Sequence, residues 1–263
     1  MKDSMVVYAT DLLIFGIDSR ETNNLRFLPK KYFSILLVKR TKEPFVNQWC
    51  LPGGYVKSEE TSKEASVRIL TKETSLSDVY MQQIGVYDSL GRDPRGKTIT
   101  SAYMALIDRT LLKQKIDENA DWFDVFIEEN DNVIKVKLLN EENIIEYDVK
   151  RIVVDKKTNE YDYKLVGKSE LSFDHSEIII DGIMNLRRKV EETDIVFNLM
   201  PEEFTIGQLK QVYELLLGKK LINSAFRRVI ASKIIETGKI VKTGGHRPSL
   251  LCKYNSGVNR WKN

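Results

Sequence analysis

Residues 51–76, LPGGYVKSEETSKEASVRILTKETSL, join a glycine turn to a helix with a clear start, and this pairing constrains the first half of the chain. Thr61 is a favourable N-cap, and Glu64, three residues later, can complete a capping box. Three runs of β-branched and aromatic residues, each of strand length, surround this stretch: VVYATDLLIFGI, YFSILLVKR and TSAYMALI. Strands that alternate with a helix predict a mixed α/β sandwich.

The residues after the third run predict an insertion and a closing helix. Residues 123–172 alternate polar with β-branched residues between turns rich in Asn, Asp and Lys, which predicts a strand-rich excursion from the sheet. Residues 174–193 carry apolar residues at helical spacing and are predicted to close the first domain. We therefore predict a first domain at residues 1–193, with the insertion at 123–172, and a second domain at residues 194–263.

Charge is divided unevenly between the two predicted domains. The formal net charge of the 263 residues is +3. Residues 201–263 contain twelve Lys or Arg and four Glu, a net charge of +8, so the first 200 residues carry −5. A basic C-terminal module on an acidic body favours nucleic-acid binding, and a solvated basic surface is the alternative.

Cysteine and histidine usage argues against a zinc site. The two cysteines, Cys50 and Cys252, and the two histidines, His175 and His246, have no zinc-ligand spacing. We expect reduced thiols in a reducing compartment. No run of eighteen apolar residues is present, and the N-terminal segment lacks a small-residue cleavage site, so we expect a cytoplasmic protein with no membrane contact.

The opening stretch also resembles the Nudix box, G-x5-E-x7-R-E-U-x-E-E-x-G-U, where U is apolar. Counted from Gly54, the chain supplies in register Glu60, Arg68, Leu70, Glu73 and Leu76. VKRTKEPFVNQWCLPGG before the box and ENADWF at residues 118–123 resemble segments that flank the box in this family. The resemblance implies a Nudix-type α/β/α sandwich.

The resemblance further implies where magnesium would bind in an active enzyme. Three carboxylates of the box lie at i, i+3 and i+4 on one helix face, and here those positions hold Ile69, Lys72 and Glu73. Lys72 removes an oxygen donor and repels a divalent cation. We therefore predict no catalytic residues, no required cofactor and no metal site, with Glu73 as a weak candidate ligand. Ser75 replaces the late glycine of the box.

The altered box predicts a binding pocket in place of an active site. Candidate ligand contacts are Gly53, Gly54, Arg68 and Lys72, and the alternative is a scaffold that binds nothing. The loop SLGRDPRGKTITSAY, residues 89–103, adds Arg95 and resembles a loop of ADP-ribose pyrophosphatase-like domains fused to a DNA-binding tail. Turn chemistry alone is the alternative explanation of this loop.

The basic tail has the pattern of helix, helix and hairpin. Thr205 and Gln208 form a second capping box, and Gly218 ends the first helix. A second helix is predicted at about 222–235, with Phe226, Val229, Ile230 and Ile234 facing inward. Two strands follow around a Gly-Gly turn. This order predicts a winged helix-turn-helix, with a small helical interaction domain as the alternative.

The predicted DNA contacts fall into two groups. Base edges are assigned to Asn223, Ser224 and Arg227 on the second helix. Phosphates are assigned to Arg228 and to Lys242, His246 and Arg247 of the hairpin, and Lys233 is also expected to lie near the duplex.

The order of the two domains resembles the Nudix-related transcriptional regulators over nearly the whole chain outside residues 123–172. The resemblance implies an α+β chain that binds a double-stranded DNA operator as a homodimer and responds to a small effector. That effector is ADP-ribose, another NAD-related nucleotide or a sugar. The alternative is an active Mg²⁺-dependent ADP-ribose-type Nudix pyrophosphatase, which requires the carboxylate face that this helix lacks.

Overall fold

The computed structural model describes residues 5–21, 28–112, 117–241 and 248–257. The chain divides into two units. The first comprises Met1–Phe15, Ser34–Leu106 and Leu112–Asn185, and the second comprises Gly16–Phe33, Ile107–Leu111 and Leu186–Asn263. The domain boundary at residues 193 and 194 stays a prediction.

A ten-stranded sheet contains the three apolar runs. They form β1 (Val7–Arg20), β2 (Lys30–Lys39) and β6 (Thr98–Asp108). The other strands of this sheet are β3 (Trp49–Cys50), β4 (Gly53–Tyr55), β5 (Tyr80–Tyr87), β7 (Ala120–Asn130), β8 (Val133–Leu139), β9 (Ile144–Asp155) and β10 (Glu160–Val166). The strand order is β10-β9-β8-β7-β2-β1-β6-β5, while β3 pairs with β2 and β4 with β1.

Two helices, α1 (Ser62–Thr74) and α2 (His175–Glu192), pack against opposite faces of β1. Thr10 on β1 hydrogen-bonds to Ser66 of α1 at 2.7 Å. Leu13 packs so closely against Gly182 of α2 that an added Cβ there would lie 2.6 Å from its side chain. Successive residues of a strand point to opposite faces, so positions 10 and 13 lie on opposite sides of the sheet. The predicted α/β/α sandwich is confirmed.

The predicted insertion is rich in strands, but it does not leave the sheet. Strands β7 to β10 continue the sheet outward from β2, each antiparallel to the strand before it. The expected excursion is therefore wrong, because alternating residues such as Ile134, Val136 and Leu138 bury one face and extend the core. At the outer strand, Glu177 of α2 accepts a hydrogen bond from the backbone N–H of Leu165 at 3.1 Å.

Helix α1 has the predicted start and a less expected end. Thr61 accepts from the backbone N–H of Glu64, and the Glu64 side chain accepts from the backbone N–H of Thr61. Ser75 caps the C-terminus in the left-handed region with φ 59° and donates its N–H to the carbonyl of Thr71. Ser75 thus adopts the conformation for which a glycine would be favoured.

The C-terminal part of the second unit contains two consecutive helices and a three-stranded sheet. The strands are β11 (Phe204–Thr205), β12 (Ile234–Val241) and β13 (Ser249–Tyr254) in the order β11-β13-β12, and the helices are α3 (Ile206–Leu217) and α4 (Asn223–Ile230). The Thr205 and Gln208 capping box and the left-handed Gly218 at the end of α3 are as predicted. The helix, helix and hairpin order of a winged helix is confirmed.

Two details of α4 differ from the prediction. The helix ends at Ile230 and not near residue 235, because Ile234 and Ile235 pair with β13 as strand residues. Val229, expected to face inward, is 58% exposed. Phe226 and Ile230 form the buried face of α4, and Val229 lies to one side of that face. Lys242, His246, Arg247 and the Gly-Gly turn lie outside the described residues.

Candidate functional site

A cavity of about 370 Å³ lies in the first unit, within the size range of small-molecule sites. Its wall includes Gly53 and Gly54 of β4, Lys72 near the end of α1, and Arg95 of the loop before β6. Four of the five predicted ligand contacts are thus brought together. Arg68 does not line the cavity.

Gly53 allows β4 to approach a buried carboxylate. A Cβ at this position would lie 2.5 Å from Oδ1 of Asp11 and 3.0 Å from the carbonyl oxygen of Thr10. Neighbouring Gly54 is under no such restriction, because the nearest atom to its Cβ position is Cδ1 of Ile69 at 3.8 Å. Only Gly53 therefore needs to be glycine on steric grounds.

The face of α1 where a Nudix enzyme would hold magnesium carries Ile69, Lys72 and Glu73. Ile69 is buried and apolar. Lys72 places its Nζ 2.6 Å from Oε1 of Glu73, whose side chain is buried. One carboxylate that already has a cationic partner does not fit a hard divalent cation. In the part of the chain that the structure describes, no three His, Cys, Asp or Glu residues are grouped for metal binding.

Arg68 holds the loop that precedes α1. Its guanidinium is bonded to Glu60 and donates to the carbonyl of Tyr55 at 3.2 Å. The hydrogen bonds from Arg68 lower the pKa of Glu60 to about 2. Arg68 pairs with neither Glu64 nor Glu73 of the same helix, because Glu64 is occupied in the capping box and Glu73 binds Lys72.

A buried ionic cluster forms the floor of the cavity. Arg92 makes two hydrogen bonds to Asp174, at 2.7 and 2.8 Å, and a third to Asp11 at 3.1 Å. Burial alone would raise the pKa of Asp11, but His175 and Arg92 hold it below its usual value. Two carboxylates share one guanidinium, which compensates charges that would otherwise be costly to bury.

His175 links the cluster to the β3–β4 turn. Its Nδ1 accepts a hydrogen bond from the backbone N–H of Leu51 at 2.9 Å, and its Nε2 lies 3.6 Å from Oδ1 of Asp11. An accepting Nδ1 places the proton of a neutral ring on Nε2, facing the carboxylate. Cys50 also lines the cavity, but burial raises the pKa of its thiol to about 12, so it stays protonated and unreactive.

The mouth of the cavity combines cations with aromatic rings. Arg95 makes hydrogen bonds to Asp93 at 2.7 and 2.9 Å and lies 5.7 Å from the ring centres of Tyr55 and Phe173. Arg40, which also lines the cavity, lies 4.8 Å from the ring centre of Phe173. Phe173 has φ 57°, a conformation that non-glycine residues rarely adopt.

Several lining residues were not predicted from the sequence. Asp11, Arg92 and His175 line the cavity, Asp174 binds Arg92, and no local spacing connects these four residues. The available signal was a charged residue inside an apolar strand: Asp11 interrupts VVYATDLLIFGI, where a buried charge requires a partner.

Helix α4 carries the predicted DNA contacts of the second unit. Asn223, Ser224, Arg227 and Arg228 are all exposed on it. Cys252 of β13 is fully buried. The structure therefore groups four of the seven predicted DNA-binding residues on one helix, and the other three lie outside the described residues.

Comparison with protein families assigns both parts of the chain. The family model of the NUDIX domain matches residues 25–142. The family model of the NrtR DNA-binding winged helix domain matches residues 196–253. The chain belongs to the Nudix-related transcriptional regulators. In this regulator the winged helix model covers α3, α4 and both strands of the hairpin.

Individual relatives share parts of this architecture. The regulator is 28% identical to the ADPR responsive transcriptional repressor NtrR of Acinetobacter baylyi, over 93% of this chain and 80% of NtrR. It is 40% identical to the ADP-ribose pyrophosphatase of Methanocaldococcus jannaschii over 92 residues, 35% of this chain and 54% of the pyrophosphatase. The structure of Shewanella oneidensis NrtR complexed with a 27mer DNA has the same fold, with a TM-score of 0.65, 22% identity, and coverage of 94% and 93%.

Ion pairs distinguish the basic residues of the winged helix domain of the regulator. Lys233, expected near the duplex, places its Nζ 2.8 Å from Asp194. Other lysines that bind acidic partners are Lys210, Lys219, Lys220 and Lys239. No acidic partner is seen for Arg227 or Arg228 among the described residues, so these two arginines keep an accessible positive charge.

Helix lengths and composition bear on membrane association. Within residues 5–21, 28–112, 117–241 and 248–257, no helix of the regulator is both long and apolar enough to cross a membrane.

Proposed function

We propose that this chain is a DNA-binding transcriptional regulator whose Nudix domain senses ADP-ribose without hydrolysing it. One observation carries the proposal: the cavity is kept, while the metal-binding face of α1 holds Ile69 and the Lys72–Glu73 ion pair. An enzyme of this fold needs several carboxylates to hold the ions that activate water. A sensor needs only the cavity and its binding groups, and we propose that it requires no cofactor.

The lining of the cavity supports a nucleotide effector. Lys72 and Arg95 supply cations at the mouth, and the rings of Tyr55 and Phe173 lie beside Arg95. A diphosphate suits such cations, and a base can stack on aromatic rings or on a guanidinium. A neutral sugar has no anionic group for these cations, which disfavours the sugar-sensing alternative. The names of NtrR and of the Methanocaldococcus jannaschii pyrophosphatase both refer to ADP-ribose.

The winged helix domain is proposed to bind operator DNA. Asn223, Ser224 and Arg227 are assigned to base edges, because Asn and Arg form bidentate contacts with adenine and guanine. Arg228 is assigned to phosphate, and so are Lys242, His246 and Arg247 of the hairpin. A homodimer would present two such helices to a two-fold-related operator, and a protein with this role works in the cytoplasm.

A Mg²⁺-dependent ADP-ribose pyrophosphatase is the second candidate. The 40% identity to the Methanocaldococcus jannaschii pyrophosphatase favours it. Glu73 is the single remaining ligand that such an enzyme could use, and it is paired with Lys72. Substitution of Ile69→Glu with Lys72→Glu would restore the carboxylate face and is expected to return partial hydrolysis.

Two assays on the full-length chain distinguish the regulator from the pyrophosphatase. Binding to duplexes selected from a randomised pool is measured by fluorescence anisotropy with and without ADP-ribose, and ADP-ribose cleavage is measured with Mg²⁺ or Mn²⁺. The expected result is DNA binding that changes with ADP-ribose, with no enzyme-like cleavage. Turnover of about 1 to 1,000 per second would favour the pyrophosphatase. Absence of DNA binding at low salt would overturn the regulator.

A further inference from the structure

Helix α4 has an exposed apolar side next to its polar side. At about 100° per residue, Arg227, Ser224 and Arg228 follow one another around the outward half of the helix, and Ala225 and Val229 come next. Val229 is 58% exposed, and Ile222, seven residues earlier at the N-cap, is 74% exposed. These residues define the apolar side: Ile222, Ala225 and Val229.

The fold of the second unit does not require an apolar residue at position 229. Phe226 and Ile230 occupy the inward positions of α4, and both are buried. Phe226 also packs edge-on against Tyr213 of α3, with ring centres 5.3 Å apart. Valine is a weaker helix former than most polar residues with straight side chains. Neither helix propensity nor the core therefore explains why valine stands on this surface.

The major groove of DNA offers a partner with matching chemistry. Its base edges display hydrogen-bond donors and acceptors, and thymine adds an apolar 5-methyl group. On α4 Val229 lies about 100° from Arg228 and about 160° from Arg227, so a helix that faces the groove with Ser224 and Arg228 also presents Val229 to one wall of it. We propose that Val229 packs against the 5-methyl group of a thymine, beside the phosphate contacted by Arg228. This inference rests on the proposed DNA binding and adds a determinant of its specificity.

Replacement of thymine by uracil tests the contact, because uracil lacks only the 5-methyl group. Duplexes are first selected with the full-length chain from a randomised pool, and each thymine of the selected site is then replaced in turn. The unaltered protein is expected to bind about fourfold more weakly when one particular thymine of a half-site is replaced, the effect of one lost methyl contact. Val229→Ala is expected to bind the thymine duplex more weakly than the unaltered protein does, by a similar factor. Its affinities for the thymine and uracil duplexes are expected to be equal.

Val166→Ala is the matched control, because Val166 is a comparably exposed valine on β10, in the first unit. It is expected to keep the full thymine preference. Sedimentation of the Val229→Ala protein measures whether the apolar side instead joins two copies of the chain.

Three outcomes would overturn the contact: equal binding of the unaltered protein to all uracil duplexes, an intact thymine preference in Val229→Ala, or a loss of oligomer in Val229→Ala with the preference unchanged. Failure to select any duplex would overturn the proposed DNA binding itself, and the inference with it.

Discussion

The ammonium of Lys72 lies 2.6 Å from Oε1 of Glu73, the carboxylate that is kept from the metal-binding face of the Nudix helix. Glu73 is buried, whereas the Lys72 side chain is 69% exposed at the cavity. The Lys72 ammonium therefore supplies a positive charge on the helix face where a Nudix enzyme would bind a metal ion. The negative groups of an effector can approach it from the cavity.

Removal of that cation should weaken effector binding modestly. Lys72→Met is expected to lower the affinity for ADP-ribose about fivefold, because an exposed ion pair contributes only about 1 kcal/mol. Isothermal calorimetry on the full-length chain measures the change. Lys63→Met, on α1 but away from the cavity, is the control. Unchanged affinity in both Lys72→Met and Arg95→Ala would remove these two residues from the site.

The adjacent glycines of β4 should respond differently to the same change. Gly53→Ala is expected to destabilise the fold by about 1 to 3 kcal/mol, because its Cβ would overlap the Asp11 carboxylate and the Thr10 carbonyl. Gly54→Ala is expected to change stability by less than about 0.5 kcal/mol, since its nearest neighbour is at an ordinary contact distance. Urea unfolding compares the two, and equal effects would contradict the close approach of β4 to Asp11 at Gly53.

Acid should destabilise the first unit through Asp93. The hydrogen bonds from Arg95 lower the pKa of Asp93, even though burial opposes this shift. Because the pKa is lower in the folded than in the unfolded state, the stabilisation is complete above the unfolded value of about 3.9 and is lost as pH falls through the folded value. Denaturant unfolding from pH 7 to pH 3 measures the loss. Asp93→Asn should show a shallower decline below pH 4, and an identical decline would exclude Asp93 as a contributor.

Substitutions in the two predicted classes of DNA contact should weaken DNA binding in different ways. Arg227→Ala is expected to cost about 1 to 3 kcal/mol on a selected operator and little on a scrambled duplex. Lys242→Ala should weaken binding to both and reduce the salt slope by about one. Anisotropy across a salt series measures both effects.

Lys233→Ala is the control for these variants, because its ammonium is already bound to Asp194. It should change DNA binding little. Equal losses on both duplexes for Arg227→Ala would show that α4 does not read sequence through this residue.

Local patterns predicted the elements that local chemistry determines. Both capping boxes, at Thr61 and Thr205, are present because each depends on residues three apart. The end of α4 was missed because pairing with β13, about twenty residues later, converts Ile234 and Ile235 into strand. Propensity within the helix gave no indication of that partner.

The cavity was predictable only in part for the same reason. Gly53, Gly54, Lys72 and Arg95 were found because they belong to the box or to a recognisable loop. The buried cluster was not, because Asp11 and Asp174 meet at Arg92 only after the sheet and α2 have formed. Contacts across such sequence separations depend on topology, which residue spacing does not encode.

The hydrogen bond between Glu177 and the N–H of Leu165 has a consequence for self-association. An outer strand with unpaired backbone groups can template the addition of a strand from another molecule, which is how many sheets begin to aggregate. On β10 the carboxylate of Glu177 occupies one of those donors, and the charged Lys164 lies beside it. An incoming strand would have to displace a carboxylate and bury a charge. We therefore expect Glu177 to disfavour cross-β growth at this edge of the sheet.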